Sequence, residues 1–87
     1  MASIEEVKHG LSQAAETAEE AISQARAAAE SAGRMIEQLN SVAQGTNHPK
    51  VQEASSRAQQ CRQQLAQAAT LAQQAAQAAR EYYAILG

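Results

Sequence analysis

Apolar residues recur at alternating steps of three and four through almost the whole chain, and the recurrence is broken once. Ile4, Val7, Leu11, Ala14, Ala18, Ala21, Ala25, Ala28, Ala32, Met35, Leu39 and Val42 make twelve consecutive hits. After Gly45-Thr46-Asn47-His48-Pro49 the repeat restarts and holds for eleven more: Val51, Ala54, Ala58, Cys61, Leu65, Ala68, Ala72, Ala75, Ala79, Tyr82 and Leu86. A seven-residue repeat with two apolar positions keeps one stripe of a helix facing a partner helix. With 45% of the residues hydrophobic, an unbroken run of this length is not a chance pattern. It predicts an all-α fold of two long antiparallel helices, a helical hairpin with these stripes as its coiled-coil seam.

The ends of the two helices carry their own signals. Ser3 and Glu6 form an S-x-x-E capping box, and Glu5 and Glu6 stand at the positive end of the helix dipole. Gly45 suits the left-handed residue that closes a helix, and Pro49 suits the first position of the next. The proline pushes His48 out of the helical region, which makes His48 the N-cap, with Asn47 as the alternative. The reading is one domain over residues 1–87, with a helix over about 4–44, a turn over about 45–48 and a helix over about 49–86. About 41 residues at 1.5 Å rise make a rod of about 60 Å, and a link this short returns the second helix antiparallel to the first.

Charge supports the same orientation. The first helix has seven Glu against Lys8, Arg26 and Arg34, a balance of −4. The second has Glu53 and Glu81 against Lys50, Arg57, Arg62 and Arg80, a balance of +2. Folding about residue 47 makes facing residues sum to about 94, which sets Glu37 near Arg57, Glu30 near Arg62 and Glu16 near Arg80. It also sets Leu11 against Tyr82 as the core cap of the open end, with Cys61 on the seam as a small apolar residue.

Alanine fills 22 positions and makes the middle of the seam thin, because each methyl buries little surface. A second stripe compensates. Ala15, Ile22, Ala29, Ile36 and Ala43 lie one position beyond the seam of the first helix; Leu71, Ala78 and Ile85 flank that of the second, with Ala69, Ala76 and Tyr83 on the other side. An apolar face wider than two helices require predicts further helices. The expectation is a homodimer forming a four-helix bundle, with another helical protein as the alternative occupant. The interface candidates are Ile22, Ile36, Leu71, Tyr83 and Ile85.

Chemistry is not indicated. The chain has no Asp to complete a Ser/His/Asp constellation and no Gly-rich phosphate loop. Its single E-x-x-H, Glu6 to His9, lacks the second copy that a di-metal bundle needs. The lone Cys61 has no partner for an internal disulfide. A net charge of −2, without a basic and aromatic cluster, is too small to imply a nucleic-acid partner, and none is expected. No stretch reaches the roughly 18 apolar residues of a membrane span, and an alanine face without Trp or Phe is a poor lipid-surface helix. The reading is therefore a non-enzymatic interaction module with no catalytic residue, cofactor, metal or small-molecule substrate. No signal peptide begins the chain, so the expected location is cytoplasmic, with a signal-peptide-independent export route as the alternative.

Ser3-Ile4-Glu5-Glu6-Val7, the G-x-x-H-P-x-V from Gly45 to Val51 and a Tyr near the end give the chain a family resemblance. It resembles small helical proteins of uncharacterised function found in actinobacteria, and N-terminal docking regions of larger secreted toxins. In outline it is also similar to the WxG-type substrates of type VII secretion, which are dimerising antiparallel hairpins. The turn has no Trp, and Leu86 and Gly87 rather than acids stand four residues after Tyr82 and Tyr83. The resemblance thus implies the architecture and a secretion- or toxin-associated role, without the export signal. A cytoplasmic regulatory or chaperone-like adaptor, whose apolar groove receives a partner helix, is the competing function.

Overall fold

A computed structural model describes residues 1–87 and contains two long helices, α1 (Ile4–Gly45) and α2 (Pro49–Ile85), with no strand. They lie side by side as an antiparallel hairpin 63 Å long and only 18 by 15 Å across. No helix is long and apolar enough to cross a membrane.

Each helix begins on a side chain that replaces a missing backbone acceptor. Ser3, in extended conformation, takes the Glu6 amide on its hydroxyl at 3.1 Å. His48 does the same for α2: its Nδ1 accepts the Lys50 amide at 3.1 Å, and Pro49 supplies the preset φ of the first turn. The end of α1 differs from expectation. Gly45 has no positive φ and remains helical; Thr46 ends the helix by swinging into extended backbone at φ −157° and ψ 150°. Thr46 Oγ1 then accepts the His48 amide at 3.2 Å, so the hydroxyl shapes the turn that a left-handed glycine was expected to make. The left-handed glycine is instead Gly87, at φ 85° after α2.

The core runs along the seam, and its frame corrects half of the predicted one. The seven buried residues are Ala15, Ile22, Ala32, Ile36, Ala58, Ala69 and Ala76. They fit a heptad with a at 8, 15, 22, 29, 36 and 43 in α1 and at 55, 62, 69, 76 and 83 in α2. The d positions are then 4, 11, 18, 25, 32 and 39, and 51, 58, 65, 72, 79 and 86. The d row is as predicted. The other predicted row, which includes Ala14, Ala21, Met35, Val42, Cys61, Ala68, Ala75 and Tyr82, is exposed at these residues, and the row one step further on holds the buried Ala15, Ile22, Ile36, Ala69 and Ala76. The physical reason is side-chain volume. The a row admits Lys8, Ser55 and Arg62, but of the two rows only it offers isoleucines, and burying Ile22 and Ile36 removes far more surface from water than burying alanines.

The predicted register holds where contacts mark it. Lys8 Nζ donates to the Gly87 carbonyl at 3.0 Å, and the Arg62 guanidinium lies 4.0 Å from where a Cβ on Gly33 would stand. Both pairs sum to 95. Arg62, at a seam position, thus folds across α1 beside Gly33, with room for a methyl group between them.

Candidate interaction face

The site residues named from sequence separate into two groups. Ile22 and Ile36 are 4% and 8% exposed, clamped between α1 and α2, and belong to the hairpin's own core. They are not available to a partner. Leu71 and Ile85 stand in the open at 64% and 78% exposure. Tyr83 and Tyr82 are both exposed, at 41% and 49%, so neither caps the core as a buried ring. Tyr83 is at the open end of the seam, with Leu11 near it and Lys8 Nζ 4.9 Å above its ring centroid. That geometry lets the cation meet the electron-rich ring face. Tyr82, expected as the core cap, is on the outer flank instead.

The flanks of the seam define two unlike faces. In an antiparallel pair the approximate two-fold axis is normal to the plane of the helices, so same-lettered flanking positions share a face. The cross-helix ion pair marks one such face: Arg80 meets Glu19 at 2.8 Å, and both are e positions. This replaces the expected Glu16–Arg80 pair by a partner one turn away. Glu37–Arg57 and Glu30–Arg62 are not formed; Arg57 turns to Gln60 at 3.3 Å and Arg62 to Gly33. The remaining e positions are mostly polar, with Glu5, Ser12 and Arg26 on α1 and Gln59 and Gln73 on α2.

The opposite face, built on g, has no polar residue at all. Along α1 it presents Val7, Ala14, Ala21, Ala28, Met35 and Val42; along α2, Ala54, Cys61, Ala68, Ala75 and Tyr82. Its outer edge is the c row. On α1 that row is Gly10, Thr17, Gln24, Ser31 and Gln38, all uncharged. On α2 it contains Leu71, Ala78 and Ile85 toward the open end, with Lys50 and Arg57 near the turn. All nine Glu fall at b, e or f, so this face holds no carboxylate. Sequence reasoning took the unbroken d and g pattern for the seam; the signal it did not weigh was the volume of Ile22 and Ile36 in the a row, which outweighs the Lys8, Ser55 and Arg62 that row also admits.

No three His, Cys or Glu side chains converge in a way that holds a metal ion. No buried side-chain nitrogen or oxygen lacks a hydrogen-bond partner. What this surface can do chemically is exclude water against another apolar surface.

No protein-family model, curated protein or solved structure matches the chain significantly. Its function is therefore argued from this geometry.

Proposed function

We propose that the chain is a non-enzymatic protein–protein interaction module, and that its g face closes on a second copy to make a four-helix bundle. The observation that carries this reading is the apolar g face, free of carboxylates, that runs the length of the rod. A role beside a secretion or toxin apparatus rests on the family resemblance alone.

Area supports the need for a partner. The accessible surface is 6386 Å², against about 4,900 Å² expected for a compact monomer of 9.2 kDa. The molecule is 63 Å long and 18 Å wide, so a contact along its full length has room for the roughly 800 Å² per partner of a standard stable interface. Self-association also meets no carboxylate repulsion, because neither copy brings an acid to the contact.

Sedimentation equilibrium at tens of micromolar tests the proposal: the expected mass is twice 9.2 kDa. Ala68→Glu puts a charge on the face and should yield monomers that keep their helical circular dichroism. Gln67→Glu, one residue round on the outer side, should leave the dimer intact. A monomeric native chain, or equal effects of the two variants, sinks the reading. A monomer that binds a partner's amphipathic helix in the same face would favour the adaptor role.

A further inference from the structure

We infer that the apolar edge of α2 near the open end, formed by Leu71, Ala78 and Ile85, is covered by the turn half of α2 from a second copy, so that the two hairpins close with their turns at opposite ends. This rests on the self-association proposed above and adds the residues that complete the contact.

Leu71 and Ile85 are among the most exposed large side chains of the protein, and they lie in the c row, beyond the reach of α1. Toward the turn the same row continues as Gln64, Arg57 and Lys50, three long side chains. One row thus has an apolar half and a half made of methylene stems with polar heads. Laid antiparallel on itself, with residues whose numbers sum to 135 level, it sets Lys50 on Ile85 of the other copy, Arg57 on Ala78 and Gln64 on Leu71. The stems shield the apolar groups while the ammonium and guanidinium stay in water. A two-fold axis makes each contact twice.

The g rows accept the same axis. In α2, sums of 136 put Tyr82 on Ala54, Cys61 on Ala75 and Ala68 on its own mate. In α1, sums of 56 put Val42 on Ala14, Met35 on Ala21 and Ala28 on its mate. The hairpin register, with sums near 95, holds Ala28 and Ala68 level, so one axis serves both helices. Each larger side chain meets a smaller one, as in a close-packed core. The polar c row of α1 meets itself as well, with Thr17 beside Gln38 and Gln24 beside Ser31.

With the turns at one end, α2 would lie on α1 of the other copy. The g rows would again pair large with small, so the c row decides. Ile85 would then rest on Gly10, which has no side chain to cover it, and Ala78 on Thr17. Both copies' Lys50 and Arg57 would also gather at that one end. Glu53 holds Lys50 at 2.9 Å, but Arg57 has only the neutral Gln60, so two guanidiniums would share the end unmatched. Opposed turns keep them apart.

A nitroxide at the turn reads the arrangement directly. In the full chain, Cys61→Ala removes the native thiol while keeping the face apolar, and Asn47→Cys, exposed between the helices, takes the label. Pulsed dipolar spectroscopy should show a distance near the 63 Å rod length. A distance below about 30 Å, the sum of helix spacings of about 8–10 Å and the label arms, in a sample that sediments as a dimer overturns the arrangement and leaves self-association standing. The dimer dissociation constant tests the edge contact. Lys50→Ala and Ile85→Ala should each weaken the dimer several-fold, and the double variant little more than either, because both remove one contact. About 50 Å separates the two positions along α2, so only a second copy can couple them. Independent, multiplying effects overturn the contact, and a monomer by sedimentation overturns the arrangement and the self-association together.

Discussion

Ile36 has its side chain clamped between the helices, while Met35, one residue earlier, is 40% exposed on the g face. Truncating them should separate folding from association. Ile36→Ala leaves a gap in a core whose only buried large side chains are two isoleucines, and should cost about 2–4 kcal/mol in urea unfolding. Met35→Ala should change the stability of the hairpin itself by no more than about 0.5 kcal/mol. It should instead weaken self-association several-fold in a dilution series. The reverse ranking would return the seam to the row one step earlier. This pair also shows where the sequence was legible and where it was not. Counting apolar residues located the d row correctly, from Leu11 to Leu39 and from Val51 to Leu86. It could not choose between the rows on either side of d, because alanine serves equally as helix former, core filler and outer face. Volume made that choice: Ile22 and Ile36 lie on one side, and the methyl groups of Ala14, Ala21 and Ala28 on the other. The Lys8–Tyr83 contact was also readable in principle, since Lys8 interrupts the apolar a row at the end where Tyr83 completes it.

At the scale of an element, α2 depends on an unusual cap. Histidine is not among the preferred N-cap residues, yet His48 Nδ1 takes the Lys50 amide, an acceptor role only the neutral ring can perform. His48→Ala should lower stability by about 1 kcal/mol and speed hydrogen exchange at Lys50 and Val51. His48→Asn, which offers a carbonyl oxygen at the same place, should recover most of both. If Ala and Asn behave alike, the ring is not capping. The ends of this helix were legible because Pro49 and the residue before it have few permitted conformations. The end of α1 was less so. A glycine promised a left-handed stop, but Thr46 reaches the same end by extending the backbone and lending its hydroxyl to His48. Ion-pair partners were the least legible feature of either helix. Long side chains on an open surface reach a turn up or down at little cost, and Arg80 chose Glu19 over Glu16.

The whole molecule is a thin rod with a narrow seam, and association should contribute much of its resistance to unfolding. If the native form is a dimer that separates on melting, each tenfold rise in concentration adds about 1.4 kcal/mol per dimer to the stability at 25 °C. Calorimetry from micromolar to hundreds of micromolar should therefore show Tm climbing steadily; a flat Tm would identify a hairpin that stands alone. The choice of optical signal matters in such work. Both aromatic rings, Tyr82 and Tyr83, belong to the last turns of α2, and the chain has no Trp or Phe. Intrinsic emission consequently watches one tip, where the Lys8 ammonium sits over a ring and helix ends fray first. Peptide ellipticity averages over the full length. A midpoint from emission that precedes the one from ellipticity would record the loosening of that tip while the alanine-lined middle is still wound.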